Sequence, residues 1–129
     1  MCGAVTFVAR GVGDASACHC GMCRRWAGGP WIGAHVESIE WNGAAVTTIK
    51  SSEWAERGFC NQCGSGLFYR ITADGDHKGM TSVSLGTLDD QSGIEMTREW
   101  FIDKKPDCYA LEGERPRVTE AEAFAMFSQ

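Results

Sequence analysis

Ala17-Cys18-His19-Cys20-Gly21-Met22-Cys23 places three thiols within six residues. A second group, Phe59-Cys60-Asn61-Gln62-Cys63-Gly64, carries a C-x-x-C pair, and Cys2 stands alone near the start. Thiols this close in sequence suit a soft or borderline metal, because thiolate sulfurs can converge on one ion when a tight turn lies between them. Zinc is the default occupant, in tetrahedral coordination with Zn–S bonds of about 2.3 Å. Gly21 and Gly64 lie within or beside the two groups and let the backbone turn closely, with amide N–H groups free to face sulfur. Both groups therefore read as junctions between a strand and a turn, and the Cys60 group as a zinc knuckle between two strands. Thirty-six residues separate Cys23 from Cys60, which is room for two or three strands.

A disulfide framework fits less well. Seven cysteines leave one unpaired, and C-x-x-C pairs outside oxidising compartments are more often metal-binding or catalytic. The N-terminal residues lack the basic and apolar regions of a signal peptide. No stretch approaches the roughly 18 apolar residues of a membrane span. These features point to the cytoplasm and to no membrane partner. The net charge is −5, which argues against nucleic acid as a partner, since binders of a phosphate backbone need a basic patch. Arg24 and Arg25 form the one local basic pair beside a cysteine group.

The 129 residues suit a single domain, 1–129. Hydrophobic and charged fractions of 43% and 22% are ordinary for a globular protein. The coarse pattern is β. Ala4 to Ala9, Trp31 to Val36, Ala45 to Lys50, Gly66 to Ile71, Thr81 to Leu85 and Ile94 to Ile102 are short runs rich in β-branched and aromatic residues. Turn residues such as Asn42-Gly43 and Asp74-Gly75-Asp76 separate them. One helix is expected, at the C-terminal end. Thr119-Glu120-Ala121-Glu122 has the form of a capping box, and Phe124 and Phe127 then share a face. The fold class is mainly β with one short closing helix packed on a sheet.

Six clustered cysteines divide in two ways. Cys20, Cys23, Cys60 and Cys63 could form one closed four-ligand site, with Cys2 and Cys18 as spare thiols. Alternatively, Cys18, Cys20 and Cys23 hold one metal while Cys2, Cys60 and Cys63 gather at another. The second division leaves an open position at the three-cysteine site, which is the pattern of catalytic zinc. Spacing alone does not choose. Alternation along an extended segment turns His19 away from the metal, to the surface or behind the ligands. Cys108 reads as a buried free thiol, since free cysteine behaves as a small hydrophobe.

The sequence resembles the glutathione-dependent formaldehyde-activating enzymes, which share a domain with centromere protein V. The resemblance is carried by Cys2-Gly3-Ala4-Val5, by Cys18-His19-Cys20-Gly21-Met22-Cys23-Arg24-Arg25 with Gly28, and by Phe59-Cys60-Asn61-Gln62-Cys63-Gly64-Ser65 with Leu67. Gly86-Thr87-Leu88-Asp89 and Lys105-Pro106 also match. It implies a zinc-binding β-tent fold of stacked antiparallel sheets. It favours the second division: a catalytic-type Zn2+ at Cys18, Cys20 and Cys23, and a structural site at Cys2, Cys60 and Cys63. The family's first motif carries a further cysteine two places before the one Cys2 matches, so either the chain starts upstream of Met1 or that structural site is one ligand short. The implied activity is lyase-class carbon–sulfur chemistry, joining formaldehyde and glutathione into S-hydroxymethylglutathione. The implied partner is a small-molecule thiol or glutathione adduct, with Arg24 and Arg25 as candidates for holding its carboxylate. Two other readings stand beside it: a non-catalytic zinc module that binds a protein, and a thiol redox sensor.

Overall fold

The structure is a computed structural model and describes residues 1–128. The described residues form ten strands, two α-helices and two single 3-10 turns. They gather into two compact units, one built from Met1–Gly13 with Gly33–Ser92, the other from Asp14–Ile32 and the chain from Gly93 onward.

The first unit stacks two antiparallel sheets. Strands β1 (Thr6–Arg10) and β4 (Ser38–Asn42) pair with Phe7 opposite Trp41. Both alternate strictly, so Phe7, Ala9, Ile39 and Trp41 turn inward while Val8, Arg10 and Glu40 face solvent. The second sheet runs in the order β3 (Trp31–Val36), β8 (Thr81–Ser84), β7 (Gly66–Ile71), β6 (Ala55–Cys60), β5 (Val46–Lys50), every pair antiparallel. Between them lies a core of Ala34, Val36, Ala45, Cys60, Leu67, Phe68 and Val83. Trp41 bridges the layers, its ring 5.0 Å from that of Phe7 and 5.2 Å from that of Phe68. Cys60 is thus a core residue as well as a candidate ligand, which ties any metal at its sulfur to the packing of the unit.

The stretch between Cys23 and Cys60 holds more strand than its length suggested. Strands β3, β4, β5 and most of β6 lie within it. The strand entering the Cys60 knuckle is present as expected, and its bounds were hidden from the sequence for a physical reason. β6 carries Glu56, Arg57 and Gly58 in its centre, residues depleted from strands. Gly58 is there because Phe68 fills its place: a Cβ on Gly58 would lie 2.1 Å from Phe68 Cε1.

The second unit centres on β9 (Met96–Trp100), flanked by β2 (Ala15–Cys18) and β10 (Arg117–Val118). Both flanking strands run parallel to β9. These two parallel pairings stand beside the antiparallel sheets that the resemblance implies. Parallel strands need long connections, and β2 and β9 are distant in sequence, so no hairpin constrains them.

Two α-helices are present where one was expected. The additional one, α1 (Gly21–Ala27), begins directly after Cys20, whose Sγ accepts the backbone N–H of Cys23. Met, Arg and Ala favour helix, and Gly28 closes it at φ 78°, returning its N–H to the Arg24 carbonyl. The second, α2 (Glu120–Phe127), carries the expected capping box: the Thr119 side chain accepts the Glu122 N–H while the Glu122 carboxylate accepts the Thr119 N–H at 2.7 Å. Ala123 is its buried residue. Phe127 and Phe124 are half exposed and lean on Trp100 and Phe101 at 5.7 and 6.0 Å between ring centres. No described helix is long and apolar enough to cross a membrane.

Candidate metal centres

The six clustered cysteines separate into two triads, Cys18/Cys20/Cys23 and Cys2/Cys60/Cys63, and within each the sulfurs lie within 4.8 Å of one another. The first lies in the second unit and the other in the first unit. This is the second of the two divisions left open by spacing.

The first triad is built by a strand end and a helix start. Cys18 is the last residue of β2, Cys20 caps α1 and Cys23 lies in its first turn. Cys18 and Cys20 are half-buried and Cys23 is buried. Extended backbone through residues 18 to 20 turns alternate side chains to opposite sides, so Cys18 and Cys20 share a side that His19 does not. The short helix then brings Cys23 back to them. The three thiols share protons unequally. Cys20 is lowered to about 2 by hydrogen bonds from the Cys18 and Cys23 side chains, with further backbone N–H groups acting against burial. Cys18 is pushed well up by its hydrogen bonds to Cys20 and Cys23 and by burial. A cluster that holds one sulfur as a thiolate is electron-rich and ready for a cation.

The second triad joins the N-terminal residues to the turn after β6. Cys2 Sγ lies 3.7 Å from Cys60 Sγ. Two sulfurs of a tetrahedron with bonds of about 2.3 Å stand about 3.8 Å apart, so this pair already has the span of two zinc ligands. The backbone N–H of Ala4 faces Cys2 Sγ at 3.5 Å. On Cys2 that bond acts downward, but hydrogen bonds with Cys63 and Cys60 and burial outweigh it and the thiol is raised. Cys63 goes the other way, lowered to about 5 by the Ser65 hydroxyl, 3.2 Å away, and the Ser65 backbone N–H. Ser65, the last residue of the C-x-x-C-G-S run, is a polar neighbour of this three-thiol set.

Both donor sets fit zinc: three converging sulfurs each, with backbone N–H groups on sulfur.

Other residues fall differently from expectation. Cys108 is exposed, not buried. It follows Pro106 and Asp107 in a surface turn, so no apolar neighbours enclose it. Arg24 is half-buried and donates Nε–H to the His19 carbonyl at 3.1 Å. Arg25 is exposed and donates from Nη1 to the Gly21 carbonyl at 3.1 Å. Both guanidinium groups therefore lie against the backbone of the first triad's loop.

His19 stands behind the ligands and is fully buried. It donates Nε2–H to Glu99 Oε1 at 2.9 Å, and its Nδ1 lies 3.0 Å from the Tyr109 hydroxyl. Glu99, itself 1% exposed, also accepts from Arg115 Nη1 at 2.8 Å and Arg117 Nε at 3.0 Å. Burial pushes the Glu99 carboxyl up, but the bonds from His19, Arg115 and Arg117 prevail and hold it below its ordinary value. Nothing in the local pattern around Glu99 or Tyr109 pointed to this cluster, because its members are 80 and 90 residues from His19.

Two comparisons bear on this arrangement. The sequence profile of glutathione-dependent formaldehyde-activating enzymes matches residues 1–104. An uncharacterized lyase of Schizosaccharomyces pombe is 32% identical over 97 residues, spanning 73% of this chain and 68% of that relative. The two cysteine triads fall within the matched stretch, and the chain belongs to the glutathione-dependent formaldehyde-activating enzyme family.

Proposed function

We propose that this chain is a zinc-dependent enzyme of lyase type that makes or breaks a carbon–sulfur bond in a glutathione or other thiol adduct, S-hydroxymethylglutathione being the model compound. The observation that carries the reading is the convergence of Cys18, Cys20 and Cys23 as a set of three. Three protein ligands leave a fourth tetrahedral position for an exchanging group. Two half-buried sulfurs in the set keep it near solvent. Family membership and the lyase name of the yeast relative support the same class of activity.

Zinc at this triad would supply a Lewis acid for a carbonyl oxygen and a place for a substrate thiol to sit as thiolate. The chain's own groups supply the rest. Three thiolates outweigh the charge of a divalent ion, and the guanidinium groups of Arg24 and Arg25 beside the loop offset that excess. Either can also hold a substrate carboxylate through paired N–H donors. Cys2, Cys60 and Cys63 serve as the structural set, because Cys60 belongs to the core of its unit. The cytoplasm is the proposed place of action.

Titration calorimetry with glutathione and its formaldehyde adduct tests the reading on zinc-loaded protein. Binding in the micromolar range that is lost in Cys20→Ser supports it. No heat up to millimolar ligand moves the assignment to a zinc module that binds a protein.

A thiol redox role is the second reading, favoured by the exposed Cys2 at 3.7 Å from Cys60 Sγ. Peroxide treatment that closes a Cys2–Cys60 disulfide and releases one metal would support it; metal retention under peroxide would exclude it.

A further inference from the structure

Every polar atom of His19 is engaged. Its backbone N–H donates to the Trp100 carbonyl at 3.0 Å, its carbonyl accepts from Arg24, and its two ring nitrogens meet Glu99 and Tyr109. The residue is fixed at four points while the residues on either side present the sulfurs. The far ends of this network come from the chain beyond residue 104: Tyr109, Arg115 and Arg117 all lie outside the stretch matched by the family profile.

We propose that His19 is a positioning residue for the metal centre, clamped by Glu99 and Tyr109, and that the C-terminal stretch 109–117 completes the support of the Cys18/Cys20/Cys23 triad. The inference rests on the reading that this triad holds a metal. The physical argument is one of preorganisation. Ligands on an extended segment pay conformational entropy on binding unless something else holds the segment. Here an imidazole between two ligands is buried in a charged cluster. Glu99 is held by two arginines, so it cannot swing away from Nε2 without leaving buried charge unpaired. Rotation of the His19 backbone would carry Cys18 and Cys20 apart. Removing a supporting partner of this kind typically lowers metal affinity by about 10- to 100-fold.

The test uses the full chain loaded with cadmium and observed by cadmium NMR, one resonance being expected per triad. Loss of a resonance in Cys20→Ser or Cys60→Ser assigns each. Chelator is then titrated against wild type, His19→Gln and Tyr109→Phe. Tyr109→Phe keeps the ring and removes only the hydroxyl, so it reports even if His19→Gln folds poorly. The expected result is that the Cys20-dependent resonance shifts and disappears at about tenfold lower chelator in His19→Gln, and at a few-fold lower chelator in Tyr109→Phe. The Cys60-dependent resonance stays as in wild type. Wild-type behaviour of both resonances in both variants would overturn the inference while leaving the metal reading intact, as would equal weakening of the two, which is general destabilisation. Absence of any Cys20-dependent resonance in wild type would overturn the metal reading and this inference together.

Discussion

Glu99 Oε1 accepts the Nε2–H of His19 at 2.9 Å with both side chains buried, and Glu99 Oε2 takes Arg115 and Arg117 on its other side. One carboxylate thus joins the cysteine-bearing loop to the C-terminal stretch. Truncating one partner of a buried charged cluster leaves the others desolvated and unpaired. Glu99→Ala should therefore destabilise the protein by about 3–5 kcal/mol, read from the denaturant midpoint. A loss below about 1 kcal/mol would mean the cluster is wetter than its burial implies.

The same carboxylate sets an acid limb. Its folded value lies below the ordinary 4.5, so its contribution is present above that ordinary value and is lost as pH falls through the depressed one. Glu122, held down by the Thr119 N–H and hydroxyl, acts in the same direction. The melting temperature of wild type should fall as pH drops below about 4.5, and in Glu99→Gln that fall should be shallower. An equal acid limb in the two proteins would remove Glu99 from the explanation.

Gly58 and Phe68 face each other across β6 and β7. Phe68 is 1% exposed and has nowhere to retreat. Gly58→Ala should cost about 1–3 kcal/mol from overpacking and should weaken metal retention at Cys60, two residues further on. A thermal shift within error of zero would show that the core has slack at this point.

The N-cap of α2 offers a smaller effect. Thr119→Ala removes the side-chain half of the capping box and should cost about 1 kcal/mol, seen as earlier fraying of α2 in hydrogen exchange. Unchanged protection through Phe127 would mean the helix is held by Ala123 and its ring contacts alone.

Local pattern reached the strands whose chemistry is local. β3 and β7 coincide with the runs read at Trp31 to Val36 and Gly66 to Ile71, and Thr119 and Glu122 form the box their spacing implied. β6 was expected only as the strand entering the Cys60 knuckle, and its bounds escaped because Glu56, Arg57 and Gly58 belie a strand until Phe68 is placed opposite. α1 escaped because a cysteine, a weak capping residue by composition, takes the N-cap. The cysteine triads were legible from spacing and resemblance together. The support behind them was not, since Glu99 and Tyr109 reach His19 only through the fold. Cys108 was misplaced because the preference of free cysteine for the interior says nothing of a particular surface turn.

Arg25 separates substrate binding from stability. Its guanidinium is exposed and donates to the Gly21 carbonyl of its own helix. Arg25→Ala should leave stability within about 0.5 kcal/mol. If Arg25 holds a glutathione carboxylate, the variant should weaken glutathione binding about tenfold, the loss of one charged hydrogen bond of about 1.5 kcal/mol. Unchanged affinity would pass the role to Arg24.

The central claim is that Cys18, Cys20 and Cys23 hold a metal of their own. Zinc content per chain, measured on protein purified without added metal for wild type, Cys20→Ser and Cys60→Ser, tests it most directly. The account predicts that Cys20→Ser loses the zinc of its own triad and retains whatever Cys2, Cys60 and Cys63 hold. A Cys20→Ser protein with the full zinc content of wild type would contradict it.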